Sequence, residues 1–411
     1  MASGLAETPA SERTRIVLFG RRNAGKSSLL NALCGQPVAL VSPVPGTTAD
    51  PVRKAVEWLP LGPCLLVDTA GVDDDAVERG AAIGALRAGR ARREIREADA
   101  AVVVTDAATG FGPWERVLAS ELRDAGTAFF LAVNRVDEIP AAPERLAALA
   151  AEAAAPVFAV SAATGEGVSA LRDALASSRP DEPASQRLLA DRLRPGDLVV
   201  LVVPIDGAAP KGRLILPQQL ALRDVLDAHA AALVAQPSEL PGLFAGLPRP
   251  PRLVVTDSQV FAEVRSLVPR DVPLTGFSVL MARYKGDWNA LRAGAAAVDS
   301  LRDGDRVLVC EGCTHRRQCG DIGTVKIPRW LAEATGRKLV FDFASGRDWP
   351  DREKLRGYAL VVHCGGCMLS RREMRARVSD CASAGVPVVN YGVLIAKLRG
   401  VDLDAGRPGL W

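Results

Sequence analysis

At 411 residues, 48% apolar and 24% charged, the chain is globular in composition but too long for one ordinary core, so two to four domains are expected. A net charge of +3 without long Lys/Arg blocks, together with 5% aromatics, points away from a nucleic-acid surface. No stretch of ~18 consecutive apolar residues predicts a membrane span, and the first 15 residues lack the apolar run of a signal peptide. The expected compartment is the cytoplasm, where eight cysteines argue for metal or redox use before disulfides.

Residues 14 to 176 alternate apolar runs with helical patterns, the signature of a mostly parallel, doubly wound sheet. The runs are Thr14–Phe19, Cys64–Val67, Ala100–Thr105, Ala128–Val133 and Val157–Val160. Gly20-Arg-Arg-Asn23-Ala24-Gly25-Lys26-Ser27-Ser28 contains G-x-x-x-x-G-K-[ST] between a strand and a helix. Its backbone N–H groups would wrap phosphates, Lys26 would neutralise the outer ones, and Ser27 would give an oxygen to magnesium. Thr47-Thr48 supplies a switch threonine, best assigned as Thr48. Asp68-Thr-Ala-Gly71 places Asp68 toward the magnesium shell and Gly71 near the γ-phosphate. Asn134-Arg135-Val-Asp137 suits guanine, because the Asp137 carboxylate can accept from N1–H and the amino group, which adenine lacks. Ser161-Ala162 fits the last base-contacting loop. Lys26, Thr48 and Gly71 are the expected groups around the transferred phosphate.

Val72 follows Gly71, where Ras-like enzymes carry a water-orienting glutamine. In this, and in the asparagine Asn23, the block resembles the Era- and TrmE-like GTPases. That resemblance implies slow hydrolysis and a potassium ion held by Asn23 at a paired G-domain interface.

A polar Pro/Ser stretch, 177–186, reads as a linker. The middle block carries the apolar runs Asp197–Pro204 and Lys211–Pro217, an amphipathic helix over Gln218–Val234, a Pro-rich loop over 237–252 and the run Leu253–Val255. It holds no clustered catalytic groups; His229 is expected to be structural.

The third block is again α/β, with strand candidates Arg306–Val309, Lys338–Phe343, Tyr358–Val362 and Val386–Asn390. After the first comes Cys310-x-x-Cys313-Thr-His315; after the third comes His363-Cys364-Gly-Gly-Cys367. Two of the chain's three histidines and three of its eight cysteines make Cys-x-His, 47 intervening residues, then His-Cys-x-x-Cys. Ligands in parallel sheets gather beyond the carboxyl ends of strands, so two neighbouring ends would unite these half-motifs. A structural zinc, ordinary buried cysteines and an iron–sulfur cluster all remain open on the residues alone. Zinc ribbons usually separate their pairs by about 15–20 residues, fewer than here. Three cysteines would leave one iron of a cubane open to a fourth ligand.

Cys-x-His followed by His-Cys-x-x-Cys, Asp68–Asp74, the run Pro204–Pro217 and Thr275–Gly286 together are similar to the HydF family of FeFe-hydrogenase maturation GTPases, over essentially the whole chain. The resemblance implies a P-loop GTPase domain over 1–180, an α/β dimerisation domain over 181–272 and an α/β iron–sulfur cluster-binding domain over 273–411. It implies a 4Fe-4S cluster on Cys313, Cys364 and Cys367, with His315 and His363 as candidate fourth ligand or neighbouring groups. It implies GTP with Mg2+ and K+, a homodimer, and a di-iron precursor received from radical-SAM maturases and delivered to apo FeFe-hydrogenase. Arg135 departs from the family's lysine, and Cys310 and Cys319 are additional thiols. The alternative is an Era/TrmE-like RNA- or ribosome-associated GTPase with a structural zinc, disfavoured by the missing basic aromatic surface.

Overall fold

The computed structural model describes residues 8–35, 52–59, 61–71, 90–178, 187–205, 214–312, 321–346 and 348–400. The chain divides into two compact units, Met1–Asp181 and Glu182–Trp411.

The first unit is built on six strands: β1 (Thr14–Gly20), β2 (Val52–Trp58), β3 (Gly62–Asp68), β4 (Ala100–Asp106), β5 (Ala128–Asn134) and β6 (Val157–Ala159). Their order is β2-β3-β1-β4-β5-β6, with only β2 antiparallel. Strand alternation sends Ile16 and Leu18 into one core with Leu29, Val102 and Leu171. It sends Val17 and Phe19 into another with Val103, Leu118 and Leu131. Both faces are therefore covered, which is why the central strands read as unbroken apolar runs. β2 is absent from the sequence expectation: Arg53, Lys54 and Glu57 interrupt any such run. Antiparallel pairing with β3 makes it a strand.

The second unit contains two parallel four-stranded sheets. β7 (Leu198–Val202), β8 (Ala231–Ala235), β9 (Leu253–Thr256) and β10 (Leu274–Gly276) are ordered β10-β9-β7-β8. β11 (Arg306–Glu311), β12 (Val340–Ser345), β13 (Leu360–His363) and β14 (Val388–Asn390) are ordered β12-β11-β13-β14.

Three expectations for the middle block need correction. The helix ends at Asp227, His229 takes a left-handed φ of 55°, and Ala231–Ala235 is β8. Pairing with β7 overrides the local helical preference of an alanine-rich segment. The described end of the run 211–217 opens that helix rather than forming a strand. The Pro-rich segment 237–252 contains a short helix, Leu240–Gly246. In addition, β10 pairs with β9, so the middle sheet continues past the boundary expected at residue 272.

The helix Phe277–Lys285 that follows β10 is buried on nearly all sides. Phe277, Leu280 and Met281 complete the core over β7 and β9, while Ala282 joins the core of the last sheet with Leu291, Val361 and Leu394. One helix therefore serves two sheets.

Candidate nucleotide and metal sites

Gly20 is the last residue of β1, and the chain then turns through Asn23, at φ 61°, and Gly25, at φ 85°, into the helix Lys26–Cys34. A Cβ on Gly25 would lie 2.1 Å from Asn134 Nδ2, so only glycine fits there. Ala24 is buried, and its carbonyl accepts from Asn134 Nδ2 at 3.1 Å; Ala162 N–H donates to Asn134 Oδ1 at 3.0 Å. Asn134 thus ties the phosphate loop to the loop after β6. Arg135, at φ 61°, donates from Nη2 to the Asn23 carbonyl at 2.7 Å. Asp137 is exposed beside it, and Ser161 Oγ accepts from Thr164 N–H at 3.1 Å.

Ser27 and Ser28 lie in the first helical turn. Ser27 Oγ donates to Asp68 Oδ2 at 2.5 Å, across from the end of β3. Asp68 is buried, and its other oxygen, Oδ1, has no hydrogen-bond partner. Burial raises its pKa, against the opposing pull of the Ser27 hydroxyl and the Lys26 ammonium. A buried carboxylate with one free oxygen, touching a serine hydroxyl, is a donor set suited to a hard divalent cation. Lys26 donates to the Arg21 carbonyl at 2.8 Å, and desolvation lowers its pKa more than Asp68 raises it. A Cβ on Gly71 would come within 2.8 Å of Lys26 Nζ, so glycine leaves the Lys26 ammonium unobstructed. Thr47, Thr48 and Val72 lie outside the described residues.

One brace of this loop went unforeseen. Arg21 forms a bidentate pair with Glu115, at 2.8 and 2.9 Å, and the Glu115 side chain is fully buried. Nothing in the sequence distinguishes Glu115 from a solvated helix charge.

At the other site, β11 and β13 are adjacent, with Cys310 opposite His363 in register. The two half-motifs therefore leave neighbouring strand ends. Cys364 Sγ accepts N–H bonds from Gly312 at 3.0 Å and Gly366 at 3.4 Å. Burial pushes the Cys364 thiol up to about 11, while those two donors pull it down. Cys364 and Cys367 are half-buried on one loop, bent at Gly366 with φ 62°. Cys310 is buried in the sheet core, where desolvation drives its thiol pKa far upward. It packs as an apolar residue.

His363 is fully buried, with both ring nitrogens engaged. Nε2 lies 3.1 Å from Arg377 Nη1, and Nδ1 lies 2.9 Å from the Cys364 carbonyl. Arginine can only donate, so Nε2 accepts and Nδ1–H donates. Burial, then Arg377, lowers its pKa to about 3. Arg377 also bonds Glu373 at 2.8 Å and the Gly346 carbonyl at 2.9 Å, over the Trp349 ring. Asn390, at the end of β14, donates to the Cys364 carbonyl at 3.3 Å. Cys313, His315 and Cys319 lie outside the described residues, and among the described ones no three His, Cys, Asp or Glu side chains form a metal-binding group.

Comparison with known proteins divides along the same lines. Residues 15–135 match the family model described as a 50S ribosome-binding GTPase. Residues 188–286 match a hydrogen maturase F dimerization domain, and 289–404 a hydrogen maturase F tetramerization domain. The last two together span more than half of the chain. Among curated proteins, the tRNA modification GTPase MnmE of Symbiobacterium thermophilum is 44% identical over 184 residues, covering 44% of this chain and 38% of that one. GTPase Der of Thermomicrobium roseum is 38% identical over 172 residues, covering 39% and 37%. The chain thus spans under two fifths of the length of these relatives. Among solved structures, Era of Aquifex aeolicus is 17% identical, covering 54% of this chain and 93% of that one at a TM-score of 0.35.

Proposed function

Because this chain belongs to the hydrogen maturase F family, we propose that it is a GTP-hydrolysing scaffold that carries a di-iron precursor to apo FeFe-hydrogenase. The precursor is cargo, made in this reading by two radical-SAM maturases. The setting is the cytoplasm; among the described residues no helix is long and apolar enough to cross a membrane.

The observation that carries the proposal is the surroundings of Cys364. Its sulfur receives two backbone N–H bonds, as a ligating thiolate does, and one donor is Gly312 at 3.0 Å. Cys313 is the next residue in the chain. A 4Fe-4S cluster on Cys313, Cys364 and Cys367 is the reading this neighbourhood supports. Bound there, the cluster would supply an iron with an exchangeable fourth position. His363, with both nitrogens occupied, acts beside that cluster by fixing the Cys364 carbonyl; His315 is left as the candidate fourth ligand.

In the G domain, the loop from Gly20 to Ser28 holds the phosphates of GTP, with Ser27, Thr48 and Asp68 around Mg2+ and Asn23 toward K+. Asn134, Arg135, Asp137, Ser161 and Ala162 hold the base. Thr47 and Gly71 adjoin the γ-phosphate. Self-association completes the scaffold. The middle domain pairs two copies, and the last domain, matching a tetramerization model, joins pairs. Both β8 and β12 are edge strands with exposed apolar side chains, Val234 on one and Val340 and Phe343 on the other.

Anaerobic iron and sulfide analysis tests the cluster. Cys364→Ala and Cys367→Ala are expected to lose most of the iron and the ability to activate apo-hydrogenase co-expressed with the maturases, while Cys310→Ala keeps both. Stoichiometric zinc and no iron in the wild type would turn the reading toward a structural metal.

A further inference from the structure

Lys285 ends the helix Phe277–Lys285 and is only 1% exposed. Its Nζ donates to three carbonyls of the cysteine loop: Leu369 at 2.7 Å, Cys367 at 3.2 Å and Gly366 at 3.4 Å. Three N–H bonds are what an ammonium offers, and they offset much of its desolvation. A trans peptide points its N–H opposite to its C=O. Gathering the Gly366 and Cys367 carbonyls on the lysine side therefore turns the N–H groups of Cys367 and Met368 the other way. With Gly366 left-handed and its own N–H on Cys364 Sγ, the loop has the kind of turn from which nests of N–H groups that bind anions and iron–sulfur centres are built.

We infer that Lys285 is a positioning residue for the cluster: bonded to the Gly366, Cys367 and Leu369 carbonyls, it fixes the shape of the Cys364–Leu369 loop and sets a positive charge against that loop's backbone. The inference rests on reading Cys364 and Cys367 as cluster ligands. The lysine comes from a helix whose Phe277, Leu280 and Met281 belong to the core of the middle sheet. The cysteine loop is thus pinned by the preceding domain as well as its own.

The test uses full-length protein reconstituted anaerobically with iron and sulfide, as wild type, Lys285→Met and Lys285→Gln. Methionine matches the stem but has neither charge nor donor; glutamine keeps two donors without the charge. Midpoint potential is read by EPR-monitored titration, iron loss by a ferrous chelator, and folding by circular dichroism. Lys285→Met should lose iron about tenfold faster, the lower end of what removing a ligand's supporting partner costs. Its potential should be more negative than wild type, because a nearby cation favours the reduced, more negative cluster. Lys285→Gln should show the same potential shift with iron loss within a few-fold of wild type. A purely structural lysine would leave the potential of a folded variant unmoved, and that result in Lys285→Gln overturns the inference whether or not Lys285→Met folds. A wild type that takes up no iron overturns the cluster reading and this inference together. A wild-type cluster indistinguishable from both variants removes only the role of Lys285.

Discussion

His363 is a histidine kept neutral by its neighbours. Its Nε2 accepts from Arg377, its Nδ1–H donates to the Cys364 carbonyl, and the whole ring is buried. Unfolded, an imidazole titrates at about 6.5; folded, His363 is held down to about 3. Between those values the unfolded chain binds the additional proton, so the histidine's contribution is complete above about pH 6.5 and is lost as pH falls. The cost is up to about 1.4 kcal/mol per pH unit, the slope for one proton. Metal-free wild type compared with His363→Gln in urea at pH 6 and pH 5 should show the wild type losing more stability over that step. Equal losses would mean that His363 is protonated in the folded protein. The same bonding makes His363 itself a poor candidate ligand: its lone pair already faces an arginine.

At the scale of elements, β8 is the exposed feature with the clearest consequence. Ala231 N–H donates to Asp197 O at 2.8 Å, and Ala235 O accepts from Val203 N–H at 2.9 Å. Alternate residues of a strand bond the same neighbour, so Ala232 and Val234 turn their backbone groups away from β7. Val234, 48% exposed, then presents an outward N–H on an open edge. Such an edge invites a second copy to continue the sheet. Val234→Pro deletes that donor without touching the pairing to β7. Light scattering should show a smaller assembly, with far-ultraviolet circular dichroism unchanged; an unaltered mass would place the dimer seam elsewhere. The helix Phe277–Lys285 is the opposite case, an element with almost no free surface.

For the whole molecule, the division into Met1–Asp181 and Glu182–Trp411 separates the two candidate sites. The nucleotide residues from Gly20 to Ala162 lie in the first unit, and His363, Cys364 and Cys367 in the second. Lys26→Ala should abolish GTP binding, because the phosphates lose their main cationic partner, yet leave iron content after reconstitution unchanged. Cys364→Ala should do the reverse, keeping GTP turnover while losing iron. Loss of both properties in either variant would show that each unit needs the other to form its site. Turnover in sodium, set beside turnover in potassium, reports on Asn23 in the same preparations: equal rates would remove the potassium role.

The phosphate loop and the parallel character of the sheets could be read directly from residue order, because each depends on local features: glycines at left-handed turns, a lysine opening a helix, apolar runs buried on both faces. That the two halves of the split Cys/His pattern follow neighbouring strands was legible as well, because each half comes directly after an apolar run. What tertiary structure alone decided concerns long-range pairing. Ala231–Ala235 looks helical until β7 lies beside it, β2 has no apolar run until β3 pairs with it, and β10 extends the middle sheet past residue 272. Glu115, Lys285 and Arg377 carry the letters of solvated charges. Each meets a partner outside its own helix: Arg21 for the first, the Gly366, Cys367 and Leu369 carbonyls for the second and, for the third, His363 and Gly346 in addition to the local Glu373. No local pattern marks a charge for burial, since much of the free energy that permits it comes from groups on other elements.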